Sequence, residues 1–323
     1  MGAGLWATGQ RIFGDCVMPR SSASTGQLPP IIPPPDLPRL PRRRLDTSKR
    51  DYGRVVIIGG SAGMAGAPAL AAMAALRSGA GIVEMLVPQA VVAIAASFDP
   101  CLLTRGLPSN AEGTFDTSAI AEIIGRVRLA DAVAIGPGMG RSAAVAGIVQ
   151  HLWAELLQPA VFDADALWGL SQMDLPQRAE HAGPRLLTPH VGEMLGLLPT
   201  DFLSEHLQPD ALEHAAADMA RAIHAVFVLK GPATFVVDPQ QQIHNETGNP
   251  GMATGGTGDV LTGIAAALLG QHLQPFAAAR MAVWVHGRAG DCAAALHTER
   301  SMTATDVIAA LPQAFQTVLA TEA

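Results

Sequence analysis

The sequence predicts an α/β fold in which a mainly parallel β-sheet carries helices on both faces. Short runs of β-branched and other apolar residues alternate with alanine-rich segments of helical length. The six runs with the continuous hydrophobicity of buried strands are 55–59, 82–88, 132–136, 160–163, 185–189 and 226–231. Alternation of this kind builds βαβ units, so we expect parallel pairing with the connecting helices packed on the sheet.

A different pattern follows the last of these strands. Segments 234–239 and 241–247 are apolar or β-prone and lie at hairpin spacing, which predicts an antiparallel pair at one edge of the sheet. Three helical patterns then begin near Asp259, Pro275 and Thr303.

Composition narrows the class of protein. The 323 residues are 49% hydrophobic and 15% charged, which is enough apolar material for one large core. The net charge of −7 argues against a nucleic-acid surface, and no apolar run approaches the roughly 18 residues that span a bilayer. We therefore expect a globular enzyme with neither nucleic acid nor membrane as a partner.

The cysteines give a second exclusion. Cys16, Cys101 and Cys292 are odd in number, far apart and without CxxC spacing. Neither a disulfide framework nor a zinc site is indicated, so the sequence favours a reducing compartment such as the cytoplasm.

The first fifty residues differ in character from the rest. Residues 27–41 contain seven prolines, which favour extended backbone over helix or sheet, and three arginines follow at 42–44. We expect a disordered tail over residues 1–50 and a folded domain over 51–323. An organelle transit peptide is the alternative for the tail, because arginines and serines are scattered through it while acids are few.

Residues 249–263, reading NPGMATGGTGDVLTG, are the most informative stretch of the chain. Its glycines let the backbone approach a phosphate closely, and the free N–H groups that open the following helix add donors and partial positive charge. Asp259 would then lie beside the phosphate as a base that takes a proton from an attacking hydroxyl. The alternative is a glycine-rich turn in which Asp259 caps the helix.

Other polar or glycine-rich segments follow the predicted strands. Parallel strands bring their carboxyl ends to one edge of a sheet, where ligands commonly bind. Each of these segments also has a structural alternative, as a tight turn, a helix cap or a solvated charge. They are residues 59–67 (GGSAGMAGA), residues 136–141 (GPGMGR), Asp163 with Asp165, His190 with Glu193, and Lys230 with Gly231.

Six segments, taken in order, resemble the NAD(P)H-hydrate dehydratases, the YjeF C-terminal type of the ribokinase-like superfamily. They read YGRVVIIGGSAGMAGA, ALRSGAGIV, AIGPGMG, TPHVGE, VLKGPAT and NPGMATGGTGDVLTG. The resemblance covers residues 51–323. It implies a ribokinase-like three-layer α/β/α sandwich, often a homotetramer, that uses ADP or ATP to dehydrate the hydrated form of NADH or NADPH.

The resemblance also implies the roles of individual residues. Asp259 matches the catalytic carboxylate, which deprotonates the hydroxyl group on the hydrated nicotinamide ring so that it attacks the terminal phosphoryl group. Glu193 matches the acid linked to Mg²⁺ through water. The anion hole and nucleotide site match Gly255, Gly256, Thr257, Gly258, Lys230, Gly231, Pro232, Ala233 and Thr234. The contacts to the hydrated dinucleotide match Ala80, Gly138, Gly140, His190, Asn249 and Asp259.

Two departures from the family pattern are visible. Val191 stands where proline is common, and the epimerase domain that precedes this module in many relatives is not found, so we expect a separate epimerase to act on the same substrate. Two other functions stay open. One is a small-molecule kinase of the same superfamily, of the hydroxymethylpyrimidine or thiazole type, and the other is a nucleotide-binding protein without turnover.

Overall fold

The computed structural model describes residues 32–40, 42–173, 180–199 and 209–320. These residues form one central sheet with helices on both faces, as the alternating sequence pattern predicts. Its strands are β1 (Arg54–Ile58), β2 (Ile82–Pro88), β3 (Leu103–Leu107), β4 (Ala132–Ile135), β5 (Ala160–Phe162), β6 (Arg185–Leu187), β7 (Val226–Leu229), β8 (Thr234–Val237) and β9 (Gln242–Asn245).

The strand order is β3-β2-β1-β4-β5-β6-β7-β8-β9. Pairing is parallel from β3 through β7, whereas β8 and β9 are antiparallel to their neighbours, which confirms the predicted edge pair. Strand β3 was not predicted from the sequence. Its sequence LTRGL is short, contains a glycine and alternates between exposed and partly buried residues, because it lies at the edge of the sheet.

The helices divide between the two faces of the sheet. The helices α1, α2, α8, α9 and α10 contribute to one core cluster and α3 to α7 to the other. Among the described residues, no helix combines the length and hydrophobicity that crossing a membrane requires. The bounds are α1 (Gly66–Arg77), α2 (Val92–Ala96), α3 (Ile120–Val127), α4 (Ala143–Glu155), α5 (Asp165–Ser171), α6 (Val191–Leu197), α7 (Pro209–Ile223), α8 (Thr257–Gly270), α9 (Pro275–Ser301) and α10 (Ala304–Ala320).

Alternate residues of each strand face the two cores. Val55 and Ile57 of β1 lie in the first cluster, while Val56 and Ile58 lie in the second, and all four are fully buried. This period of two is the geometry of a pleated strand covered on both sides. A strand between two cores has buried side chains at successive positions, which explains the continuous hydrophobicity of these segments.

Helix α8 is buried along most of its length. It packs so closely on α1 that a Cβ atom at Gly263 would overlap the carbonyl oxygen of Ala71. Its far end reaches the start of the sheet, where Gly53, the residue before β1, meets Gly270 with no room for a side chain. Helix α8 thus runs from the carboxyl edge of the sheet, where it begins, to the amino edge, where it ends.

Part of the predicted tail packs on the domain. Leu37 is 9% exposed and belongs to the first core cluster, and Asp36 forms an ion pair with Arg280 of α9 at 2.5 Å. The guanidinium of Arg43 lies 3.9 Å from the ring centroid of Tyr52. Apolar and charged side chains of the described residues 32–40 and 42–50 thus contact the domain, although the sequence predicts a disordered tail over residues 1–50. Residues 1–31 and 41, with Cys16, lie outside the described residues.

We predict that Gly263→Ala destabilises the protein by about 1 to 3 kcal/mol, because the new methyl group overpacks the contact between α8 and α1. Gly147→Ala in α4 is the matched control, since a Cβ there meets nothing within 4 Å and alanine favours a helix. Urea unfolding of the three proteins measures the difference. Equal stability of Gly263→Ala and the parent protein would contradict the proposed close packing.

Candidate active site

The carboxyl ends of β4 to β7 bring the predicted site residues to one edge of the sheet. The turn that follows β4 begins at Gly136, where a Cβ atom would overlap the backbone of Asp163 at the end of β5. His190 and Lys230 follow β6 and β7 and form an isolated parallel bridge. Helix α8 begins over the same edge, so the glycine-rich residues before Asp259 and these strand ends face one another.

Asp163 and Lys230 form a buried ion pair at the centre of this edge. The Nζ atom of Lys230 lies 2.8 Å from Oδ1 of Asp163 and 3.5 Å from Oε2 of Glu193. The other oxygen of Asp163 accepts a hydrogen bond from the Thr262 hydroxyl of α8 at 2.6 Å. Burial alone would lower the pKa of Lys230, but the carboxylates of Asp163 and Glu193 outweigh it and the pKa is raised. The lysine is therefore charged and already paired.

Asp259 lies in the first turn of α8 and is partly buried. Burial is the largest cause that raises its pKa, to about 7, and the negative charge of Asp163 adds to the rise while Lys230 opposes it. A carboxyl group with a pKa near neutrality is well matched to accept a proton at neutral pH. Removal of Asp259 from water thus gives it the property that a general base needs.

The residues before Asp259 form a glycine-rich turn. Gly256 has a φ angle of 91°, which favours glycine, and the Thr257 hydroxyl donates to the carbonyl oxygens of Met252 and Thr254 at 2.8 and 3.0 Å. The first N–H groups of α8 have no acceptor within the helix, as at any helix start. A Cβ atom at Gly258 would lie 3.5 Å from Nζ of Lys230, so backbone donors and the ammonium group border the same space.

A pocket of about 780 Å³ opens beside this turn. Its volume falls within the range of small-molecule and cofactor sites. Of the residues predicted to bind nucleotide, Ala233 and Gly256 are not part of its lining. The predicted residues that do line it are His190, Lys230, Gly231, Pro232, Thr234, Asn249, Gly255, Thr257 and Gly258.

His190 and Glu193 cap the start of α6. The Glu193 carboxylate accepts from the His190 backbone N–H at 2.9 Å, and Nδ1 of His190 accepts from the Glu193 N–H at 3.1 Å. Val191 is the first residue of the helix, a position that accommodates proline equally well. The capping alternative is thus realised, although His190 also lines the pocket.

The described residues do not fit a metal ion held directly by the protein. They contain no group of three or more His, Cys, Asp or Glu side chains arranged as ligands. The ammonium of Lys230 stands between Asp163 and Glu193, in the place where a cation would join two carboxylates. The role of Glu193 as an acid linked to Mg²⁺ through water therefore stays a prediction.

The turn after β4 contacts the loop that follows β1. Gly138 and Gly140 have φ angles of 61° and 78°, and the Gly138 carbonyl oxygen accepts from the Ser61 hydroxyl at 2.8 Å. The Gly140 N–H donates to Asp165 at 2.8 Å. A Cβ atom at Gly138 would lie 3.1 Å from the Cβ of Ala67. Gly138 and Gly140 therefore lie at the carboxyl edge, as predicted.

Ala80 is the predicted site residue that the structure does not bring to this edge. It precedes β2, and its neighbour Ser78 accepts a hydrogen bond from Gln271, just beyond the far end of α8. The 14 residues of α8 separate the two edges, a length of roughly 20 Å. Ala80 thus lies away from the other predicted residues, and its contact with substrate stays a prediction; the alanine that faces Gly138 is Ala67.

Three polar residues of the site were missed or only partly recognised. The sequence leaves Asp163 open as a ligand contact or a helix cap, whereas in the structure it accepts hydrogen bonds from Lys230 and Thr262. His286 lines the pocket from α9, and burial lowers its pKa to about 4, so its imidazole is neutral. Asp291 accepts hydrogen bonds from the glycine segment. His286 and Asp291 were not predicted because they lie within the long helix α9, where the sequence has no strand-end or loop signal.

Known proteins resemble the chain over nearly all of the described domain. The model of the NAD(P)H-hydrate dehydratase family matches residues 55–313. The bifunctional NAD(P)H-hydrate repair enzyme Nnr of Moorella thermoacetica is 44% identical over 275 residues, which are 85% of this chain and 51% of that protein. The enzyme of the same name from Vibrio cholerae is 35% identical over 269 residues, 83% of this chain and 51% of that protein. The chain thus spans about half the length of these relatives.

Solved structures agree. The ADP/ATP-dependent NAD(P)H-hydrate dehydratase of Bacillus subtilis, crystallised with ATP and Mg²⁺, superposes with a TM-score of 0.71 at 28% identity, covering 86% of this chain and 94% of that one. A ribokinase-like superfamily protein from Enterococcus faecalis gives 0.72 at 27% identity, with coverages of 86% and 92%. With its ribokinase-like fold and its ordered strand-end segments, the chain belongs to the NAD(P)H-hydrate dehydratase family.

Proposed function

We propose that this protein dehydrates the hydrated forms of NADH and NADPH at the expense of ADP or ATP and so restores the reduced cofactor. The observation that carries the proposal is Asp259, a partly buried carboxyl group with a pKa of about 7 at the end of an anion-binding turn. A base beside a phosphate site suits phosphoryl transfer to a hydroxyl group.

In this reaction Asp259 takes the proton from the hydroxyl group of the hydrated nicotinamide ring. The hydroxyl oxygen then attacks the terminal phosphoryl group of the nucleotide, whose remaining part leaves. The new phosphate ester is a better leaving group than hydroxide. Its elimination as phosphate, assisted by the lone pair of the ring nitrogen and with loss of a ring proton, restores the double bond of the dihydronicotinamide.

The turn at the start of α8 stabilises the charge that develops on the phosphoryl group. Backbone N–H groups of Gly255 to Gly258 are fixed in position before the reaction, so they stabilise the transition state without reorganisation. The ammonium of Lys230 adds a positive charge beside Gly258. Residues 230–234 would hold the rest of the nucleotide, and all of them except Ala233 line the pocket.

The proposal assigns the remaining predicted residues to the substrate and its surroundings. Gly138, Gly140, His190 and Asn249 would contact the hydrated dinucleotide together with Asp259. Mg²⁺ would arrive with the nucleotide phosphates and keep most of its water, one molecule of which could link it to Glu193. We further propose a homotetramer and an epimerase, as a separate activity, that supplies the reactive epimer.

The direct test incubates the purified protein with hydrated NADH or NADPH, Mg²⁺ and either ADP or ATP. Return of dihydronicotinamide absorbance supports the proposal, and comparison of the two nucleotides identifies the phosphoryl donor. Accumulation of a phosphorylated compound without that absorbance would identify a kinase instead. No reaction with either nucleotide would reject the proposed function.

We predict that Asp259→Asn lowers kcat by about 10² to 10⁴-fold, because it removes the general base. Asp259 lies within the first turn of α8, whose N-cap is Gly256, and the substitution keeps the shape of its side chain, so a purely structural Asp259 would leave the rate nearly unchanged. We expect nucleotide affinity, measured by calorimetry, to stay within about threefold of the parent value, since the N–H groups remain. Asp210→Asn is the matched control, because Asp210 is an exposed acid in the first turn of α7.

We predict that kcat/KM falls below pH 7. The pKa of Asp259 is raised from 3.8 to about 7, so the carboxylate that accepts a proton predominates above pH 7 and is lost below it. The rate should drop by about tenfold for each pH unit on the acidic side, as for a single essential base. A pH profile with its acidic midpoint near 4 would show that Asp259 is not the group that limits the reaction.

A further inference from the structure

Residues 247–256, here called the glycine loop, lie directly on α9. A Cβ atom at Gly287 would overlap Thr247, and one at Gly290 would overlap the Met252 side chain. The Thr247 hydroxyl donates to the carbonyl oxygen of Trp284 at 2.9 Å. Two glycines of α9 therefore let the loop approach the helix at backbone distance.

Asp291 of α9 holds this loop by two hydrogen bonds. Its Oδ2 atom accepts from the Gly248 N–H at 3.2 Å and its Oδ1 atom from Nδ2 of Asn249 at 3.1 Å. Gly248 has a φ angle of 109°, a conformation that other residues rarely adopt. The Oδ1 atom of Asn249 in turn accepts from the Gly251 N–H at 3.0 Å, so one carboxylate orders four residues.

Opposing influences act on the charge of Asp291. Burial is the largest influence on this carboxyl group and raises its pKa, while the bonds from Asn249 and Gly248 oppose the rise. Arg288, one helical turn before it, is 6% exposed, and its Nε and Nη1 atoms have no hydrogen-bond partner among the described residues. The positive charge of Arg288 also opposes the rise in the pKa of Asp291.

The glycine loop is also hydrogen-bonded to the start of α8. The Thr257 hydroxyl is bonded to the carbonyl oxygens of Met252 and Thr254, so the loop and the first turn of α8 form one unit. Thr247, Gly248, Asn249, Met252 and Gly255 all line the pocket of about 780 Å³. A change of loop conformation would therefore move both the pocket wall and the backbone donors beside Asp259.

We propose that Asp291 is a positioning residue that holds the glycine loop in its nucleotide-binding conformation before any ligand arrives. It acts through Gly248 and Asn249 and has no contact with the reacting atoms. Donors fixed in advance avoid the entropy loss of ordering on binding, so the loop binds nucleotide more tightly than a flexible one. The inference deepens the proposed function, on which its nucleotide-binding part rests.

The experiment compares Asp291→Asn with the exchanged pair Asp291→Asn and Asn249→Asp. In the single variant an amide NH₂ group faces that of Asn249, and the bond is lost. In the exchanged pair the direction of this bond is reversed, the bonds from Gly248 and Gly251 are kept, and the net charge is unchanged. Amide hydrogen exchange of residues 247–256 in the free protein and calorimetry with ATP and Mg²⁺ are measured for both. Asp218→Asn, an exposed acid of α7, is the control.

We expect the single variant to exchange its loop amides about tenfold faster and to bind ATP about tenfold more weakly. The exchanged pair should recover most of the loss in hydrogen-exchange protection, and this readout decides because Asn249 is itself a proposed substrate contact. Parent-like behaviour of the single variant, or failure of the exchanged pair to recover, would overturn the inference, as would equally faster exchange in β2, which signals general loosening. If the parent protein binds no adenine nucleotide, the proposed function fails while the hydrogen-exchange comparison still decides the role of Asp291.

Discussion

The ion pair between Asp163 and Lys230 is the interaction on which the candidate site depends. It joins the ends of β5 and β7, and through Thr262 and Glu193 it extends to α8 and α6. Both partners are largely withdrawn from water, and loss of Lys230 would leave Asp163 as a buried charge without a cation, which typically costs about 3 to 5 kcal/mol. Elements far apart in the chain are thereby held at one edge of the sheet.

The same charges act on Asp259. Burial is the largest cause that raises its pKa, Asp163 and Glu193 add to the rise, and Lys230 limits it. The charge of Lys230 is already paired with carboxylates before any nucleotide binds. The turn at the start of α8 adds N–H donors that carry no net charge, which suits the proposed binding of a phosphoryl group beside a base. Positive charge is thus balanced close to the carboxylate that we propose as the proton acceptor.

Much of the fold could be predicted because its signals are local. Continuous apolar runs identified the strands that are covered on both faces, and hairpin spacing identified the antiparallel edge. Strand β3 was missed because an edge strand lacks that hydrophobicity. Ala80 lies at the opposite edge from the other predicted residues, because membership of a family segment does not say which edge of the sheet a residue occupies. The described part of the predicted tail packs on the domain through contacts such as Asp36 with Arg280, which no local pattern reveals.

The sequence by itself determined the alternation of strands and helices, the glycine turn with Asp259 at its end, and the family to which these segments belong. The first two follow from residue type and spacing along a few turns of chain, and the family follows from the resemblance of six ordered segments to known members. Only the tertiary structure decided that Lys230 is paired, that Ala67 rather than Ala80 faces Gly138, and that Asp291 holds the glycine loop from α9. These depend on distances between residues remote in sequence and on burial, which alters charge energies through the surrounding atoms and not through the neighbouring residues.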